Sequence, residues 1–289
     1  MEVKVGIIGG SGFYQMDGLN ELRKIEVETP FGLPSHAVVV GEIDGQLVAF
    51  LPRHGVGHPL LPSEINVRAN IYALKSLGVE WLIGVSAVGS LREEIEPRHF
   101  VVPDQLYDHT KNRTSTFFGD GIVAHVGFAD PFCPILGQCI YQSAKKVGAT
   151  IHSGGTYICM EGPAFSTLAE SNLYRSWKAD VIGMTNMPEA KLAREAEIRY
   201  ASVSMVTDYD CWHPDHENVD VQKVIKVLLD NAAKAKNMIK NLIDIFENYI
   251  DPKDPTNNCL DVAIITSQEK RSKKTIDKLK TIAGRVLNK

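Results

Sequence analysis

The chain has few cysteines, no long apolar run and no surplus of one charge. Its five cysteines, at positions 133, 139, 159, 211 and 259 of 289 residues, form no C-x-x-C pair. That spacing argues against a disulfide framework or a zinc ribbon and for small core side chains, with one or two bridges expected only if the source is a hyperthermophile. No apolar stretch nears the roughly 18 residues that a membrane-spanning helix needs. The opening residues MEVKVGIIGG lack the layout of a signal peptide, so a cytoplasmic location is expected. With 31 basic against 35 acidic residues the net charge is −4, which offers no electrostatic footprint for nucleic acid or a membrane surface. His54 and His58 stand four apart, but Gly55, Gly57 and Pro59 argue against a helix there and no carboxylate adjoins them. No metal site is expected.

What is present is an ordinary globular balance, 44% hydrophobic and 23% charged, enough for a full-sized core. Strand-like runs alternate with helical ones. HAVVVGEI (36–43) and QLVAFLPR (46–53) flank Asp44-Gly45, a hairpin signal. A helix is expected next, with Ser63 as N-cap, Gly78 just past its end, and Ile65, Ala69, Tyr72 and Ala73 on one face. Further strands are read at VEWLIGVSAVGS, GTYICMEG, DVIGMT and YASVSMVTD, and helices at 134–147, 166–177, 187–197 and 219–248. The alternation predicts an α/β fold, a mixed, mostly parallel sheet covered on both faces, with the early hairpin adding an antiparallel part. The proline- and asparagine-rich stretch DPKDPTNN (251–258) marks the end of a catalytic domain over 1–250 and the start of a C-terminal extension over 251–289.

The glycine cluster in VGIIGGSGFY (5–14) poses the functional question. A dinucleotide loop requires G-x-G-x-x-G, yet from Gly10 and Gly12 the third glycine position holds Gln15. QMDGLNEL is only a short helix-like run, and KIEVETPFG reads as strand and turn, so the crossover helix is missing too. The loop fits a small anion, using free backbone N–H groups and the Ser11 hydroxyl. Other strands end in LPRHGVGH, GVSAVGS, IGMTNMPE and MVTDYDCW. Ligands of open α/β sheets collect outside the strands' carboxyl ends. There the sequence offers Arg53, His54, Ser86, the Ala87 N–H and Thr185, an inventory suited to a tetrahedral oxyanion. Asp208 and Asp210 are read either as turn formers or as carboxyls facing a heterocycle. Phe165 suits stacking on a flat base, and Met184 packing on a sugar, or both serve the core.

IIGGSG, PFG.PS, RHG, NVRANIYALKSLG, SAVGSLREE, VVPDQLYD.T, ADPFC, EGPAFSTLAES, ADVIGMT..PEA.LARE and MVTDYDCW occur in order over roughly residues 3 to 240. Together they resemble the trimeric class of the purine nucleoside phosphorylase family. The resemblance implies a single α/β domain around a mixed, partly barrel-like sheet, and phosphorolysis of 5′-methylthioadenosine to adenine and 5-methylthioribose 1-phosphate. It implies no metal or organic cofactor, inorganic phosphate as co-substrate, and a homotrimer. By position, phosphate falls to Ser11, Arg53, His54, Ser86, Ala87 and Thr185. The nucleoside falls to Phe165, Ile182, Met184, Asp208 and Asp210, with the two aspartates addressing N7 and the 6-amino group, and to His125 reaching into the neighbouring subunit's site.

The resemblance has departures. Ala164 replaces an arginine usual before the phenylalanine, and Asn186 replaces a threonine or apolar residue beside the ribose and phosphate contacts, which puts the 5′ specificity in question. The lysine-rich tail carries Ile276, Leu279, Ile282 and Val286 as an apolar stripe, which predicts an amphipathic helix docked on the body or a neighbour, with capping of the 5′ pocket implied by the family. The other readings are a phosphorylase of 6-oxopurine nucleosides or methylthioinosine, which Asp208 opposes, and a non-catalytic nucleoside or anion sensor.

Overall fold

A computed structural model describes residues 3–10, 20–215, 221–243 and 254–288. Eleven strands are formed there: β1 Val5–Gly9, β2 Asn20–Ile25, β3 Val38–Ile43, β4 Gln46–Pro52, β5 Trp81–Ser90, β6 Phe100–Val102, β7 Gln105–His109, β8 Ile151–Ser153, β9 Thr156–Met160, β10 Val181–Gly183 and β11 Arg199–Asp208. The seven helices are α1 Val67–Ser76, α2 Pro134–Lys146, α3 Leu168–Ser176, α4 Asn186–Glu195, α5 Val221–Ile243, α6 Lys273–Lys278 and α7 Lys280–Leu287. Among the described residues no helix is long and apolar enough to cross a membrane.

The strands form one mixed sheet in an α/β domain, ordered β2-β3-β4-β1-β5-β10-β9-β7, with β11, β6 and β8 branching from β5. Six of the ten pairings are parallel. The branch at β5 decides the architecture. Along its length it pairs in parallel with β1 and β11, and at its far end it pairs antiparallel with β10.

Strand alternation builds the two larger of four buried clusters. Val5 and Ile7, Trp81, Ile83 and Val85, and Ala201, Val203 and Met205 face one side, where α2 and α5 cover them. Ile8, Leu82 and Tyr200 face the other, under α1, α4 and α7. On α5, Leu228, Ala232, Ala235, Ile239 and Leu242 recur at helical spacing and are all buried. From the tail, Leu260, Ala263, Leu279, Ile282, Ala283 and Leu287 enter the second core, and Thr281 Oγ1 donates to Tyr72 Oη of α1 at 2.8 Å.

Some boundaries differ from the sequence reading. The helix expected from Ser63 begins after Asn66, whose side chain accepts from Ala69 N. Its end is as read. Gly78, at φ +100°, reverses the chain while Gly78 N and Val79 N bond to Lys75 O and Leu74 O. The last residues of the helix-like run QMDGLNEL lie in β2, the rest outside the described residues. The short strands β6, β7 and β8 were not separately read.

Candidate active site

β4, β1 and β5 lie side by side in parallel, and β4 and β1 finish level with Val85 in the middle of β5. Arg53 N donates to Gly9 O at 2.8 Å and Gly10 N to Val85 O at 3.3 Å, so Gly10 and Arg53 leave the sheet together beside Val85 and Ser86, where β5 runs on to Ser90 paired with β11. Ser11, next in the glycine loop, lies outside the described residues.

Arg53 is only 1% exposed. Its Nε and Nη2 fork onto Glu189 at 2.5 and 3.0 Å, Nη1 donates to Val85 O at 2.7 Å, and Nη2 also donates to Ile8 O at 3.2 Å. Four of the five N–H groups of a guanidinium are thereby used. Nη1 keeps one hydrogen, and stands 3.4 Å from where a Cβ on Gly10 would sit. Burial opposes its charge, but Glu189 outweighs that and leaves the pKa raised. The positive charge expected at this strand end is therefore permanent and already paired. Glu189 in turn accepts from the Tyr200 hydroxyl at 2.9 Å.

His54 follows, buried, with Nδ1 2.9 Å from Leu60 O. A carbonyl only accepts, so Nδ1 carries the proton and Nε2 is left as an acceptor in the neutral ring. Burial first, and then the positive charges of Arg53 and Arg113, outweigh the Leu60 bond and push the pKa down to about 4. Its ring stacks on His58, centroids 4.0 Å apart. Among the described residues no group of three or more His, Cys, Asp or Glu is placed to hold a metal.

Thr185 follows β10, which runs against β5. Val181 pairs with Ser90 and Ile182 with Gly89. β10 ends at Gly183, and the chain bends at Met184 and Thr185 into α4. Ser86 Oγ is buried with no hydrogen-bond partner among the described residues. Thr185 Oγ1 is also buried and makes no well-formed hydrogen bond, with the Tyr157 phenol beside it. Buried hydroxyls without partners are unusual and suit a ligand that supplies acceptors.

The far end of β5 has two carboxyls beside it. Asp208 closes β11 opposite Gly89, where a side chain would not fit: a Cβ there would lie 2.9 Å from Asp208 Oδ1 and 3.3 Å from Asp210 N. Asp208 Oδ2 lies 2.7 Å from Thr207 Oγ1, and Oδ1 accepts from Asp210 N at 2.8 Å. Burial raises the Asp208 pKa to about 6, those two contacts hold the rise back, and the Asp210 charge adds to it. Asp210, buried and at φ +52°, is raised by burial too, while the Ser171 and Ser166 side chains turned toward it pull the other way. At the 3.3 Å rise of a parallel strand, Val85 and Gly89 are about 13 Å apart, so one strand segment separates the two ends by roughly the length of a nucleoside.

The remaining expected residues divide. Ile182 is buried beside Gly89 and belongs to the cluster of Leu91, Ile158, Tyr174, Tyr209 and Trp212. Met184 packs its sulfur where a Cβ on Gly162 would sit, and Gly162, at φ +70°, begins the loop to Phe165. Phe165 is 43% exposed. Cys211 Sγ donates to Ser166 O at 3.4 Å, tying that loop to the Asp210 turn. His125 is not brought to this edge: it is exposed on the 119–130 loop, with its N–H on Ala263 O at 2.9 Å. Asn186 faces inward, fully buried, its Oδ1 within hydrogen-bonding distance of Tyr200 Oη and Ser202 Oγ. Sequence reasoning missed Glu189, Tyr200 and Arg113: Tyr200 signalled itself only as a phenol opening an apolar strand, while Glu189 and Arg113 stand in polar stretches and gave no signal. All five cysteines are free.

A sequence profile for the phosphorylase superfamily matches residues 4–244. An S-methyl-5′-thioadenosine phosphorylase of Koribacter versatilis is 55% identical over 288 residues, covering 99% of this chain and 97% of its own. The match therefore runs through the tail, beyond the 240 residues over which motifs are recognisable. A methylthioadenosine phosphorylase from an Antarctic soil metagenomic library superposes with a TM-score of 0.92 at 48% identity, covering 97% of this chain and 99% of that one. The Schistosoma mansoni methylthioadenosine phosphorylase in complex with adenine gives 0.83 at 36% identity, covering 86% and 93%. The chain belongs to the phosphorylase superfamily, and within it to the S-methyl-5′-thioadenosine phosphorylases.

Proposed function

We propose that this chain catalyses phosphorolysis of 5′-methylthioadenosine to adenine and 5-methylthioribose 1-phosphate, a step of purine and methionine salvage. The observation that carries the reading is Asp208, a half-buried carboxyl with its pKa near 6, at one end of a strand edge whose other end holds the buried, unpartnered Ser86 hydroxyl. Phosphate sits at the Ser86 end, held by Ser11, the free Nη1 hydrogen of Arg53, His54, Ser86, Ala87 and Thr185. His54 is suited to accept the hydrogen of monohydrogen phosphate. Met184 meets the ribose, Phe165 stacks on the purine and Ile182 backs it. The adenine bound to the Schistosoma mansoni relative supports a purine here.

In the reaction a phosphate oxygen bonds to C1′ as the C1′–N9 bond breaks. The departing electron pair goes to the purine, and N7 takes the Asp208 proton. Phosphate stabilises the cationic ribose of the transition state, and the carboxyl relieves the charge on the base. General-acid donation of this kind contributes typically ~10²–10⁴-fold. The second Asp208 oxygen accepts from the 6-amino group, which an amide nitrogen could not do. Asp210 adds the neighbouring negative charge that helps keep the proton on Asp208. The proposal needs no cofactor, because Arg53, phosphate and Asp208 manage every charge the reaction develops.

We further propose a homotrimer in which His125 serves a neighbour's 5′ subsite. His125 is exposed beside Val123, Val262 and Ile265, which are 43%, 92% and 65% exposed. The Ala124–Ile264 bridge joins its loop to the tail, so both would approach that pocket together and cap it. Five free cysteines suit a reducing cytoplasm.

The test is adenine release from 5′-methylthioadenosine by the purified chain, with and without phosphate, beside adenosine, inosine and methylthioinosine. Phosphate-dependent release, fastest from the methylthio substrate, is expected. Release without phosphate would mean a hydrolase, preference for inosine compounds would overturn the role of Asp208, and binding without turnover would mean a sensor.

A further inference from the structure

Arg113 lies outside every motif read from the sequence, in the loop after β7, and its side chain is 5% exposed. Nη1 donates to Met184 O at 2.5 Å and Met187 O at 2.7 Å. Nη2 donates to Glu161 O at 2.6 Å and Met160 O at 3.3 Å. Nε stands 3.4 Å from the Glu161 carboxylate. With its four Nη hydrogens on main-chain carbonyls and Nε facing that carboxylate, the guanidinium has little left to offer a ligand. Its position is what matters. Met160 ends β9 and Glu161 opens the loop to Phe165, while Met184 follows β10 and precedes Thr185. Met187, non-helical inside α4 at ψ 133°, presents its carbonyl sideways, and Arg113 takes it up. On the near side the Met184 sulfur fills the space above Gly162.

We propose that Arg113 is a positioning residue that locks the purine-side loop 160–165 to the sugar- and phosphate-side segment 184–187, so that phosphate and nucleoside binding are coupled. The inference rests on the proposed phosphorolysis. A planar fork is required: lysine keeps the charge but cannot span two segments with four directed hydrogens. Binding of either ligand would order its own segment and, through the shared guanidinium, the other.

Two measurements test this. In Arg113→Lys, kcat/KM is expected to fall on the order of 100-fold, the cost of misplacing reacting groups by about an ångström. The loss should appear as higher KM for both phosphate and nucleoside. A merely structural residue would lower the melting temperature and the active fraction, leaving both KM values unchanged, and that result overturns the proposal. In the unaltered chain, which needs no variant to fold, inorganic phosphate alone is expected to slow amide exchange in both 160–166 and 184–188. Protection of 184–188 with 160–166 unchanged contradicts the coupling while leaving phosphorolysis intact. No protection anywhere, together with no turnover of 5′-methylthioadenosine, overturns the functional reading and the coupling with it.

Discussion

The two ends of the candidate site treat charge in opposite ways. At the Arg53 end the charge is locked, with a buried guanidinium bonded to Glu189 and two carbonyls. At the Asp208 end the charge is poised, because one main-chain N–H and one hydroxyl do not offset burial and the pKa rises to about 6. A group that must keep one protonation state is given matched partners. One that must give up a proton is buried and left short of them.

The largest effect expected from breaking this contrast is on Asp208 itself. Asp208→Asn should lower kcat by ~10²–10⁴-fold, the range of general-acid catalysis, with little loss of stability by denaturant titration. Glu189→Ala acts on the locked end. Leaving the Arg53 charge buried and unpaired should cost about 3–5 kcal/mol of stability, read by urea unfolding, and raise the KM for phosphate. Gly89→Ala would place a methyl 2.9 Å from Asp208 Oδ1. Displacing that carboxyl should reduce kcat/KM by on the order of 100-fold without changing phosphate affinity. The smallest change sharpens the comparison. Thr207→Val removes a contact that holds the Asp208 pKa down, so the pKa should rise, by roughly half to one pH unit. Because the protonated acid is the active form, activity should then persist to higher pH, which a pH–rate profile would register.

Much of this site was legible because its residues stand at the ends of strongly apolar strands. The strand runs, the glycine turn, Arg53-His54, Ser86-Ala87 and the two aspartates are all local patterns. Partial burial of Asp208 could be anticipated from the long hydrophobic strand before it. What could not be read was pairing at a distance. Glu189 is 136 residues from Arg53, and Arg113 closes contacts to segments 47 to 74 residues away. The helix start moved from Ser63 to Asn66 because both can cap, and only the latter's side chain meets a free N–H three residues on. Thr185 was expected at a strand's carboxyl end, and it follows β10 there. What could not be read is that β10 pairs antiparallel with the far end of a ten-residue β5.

The most direct test of the contrast is kcat/KM for 5′-methylthioadenosine at saturating phosphate, measured on both sides of pH 6 for the unaltered chain and Asp208→Asn. The unaltered enzyme is expected to lose activity as pH rises through the Asp208 pKa of about 6, while the variant is slow and lacks that limb. The same limb in both proteins would place the titrating group elsewhere and contradict the account.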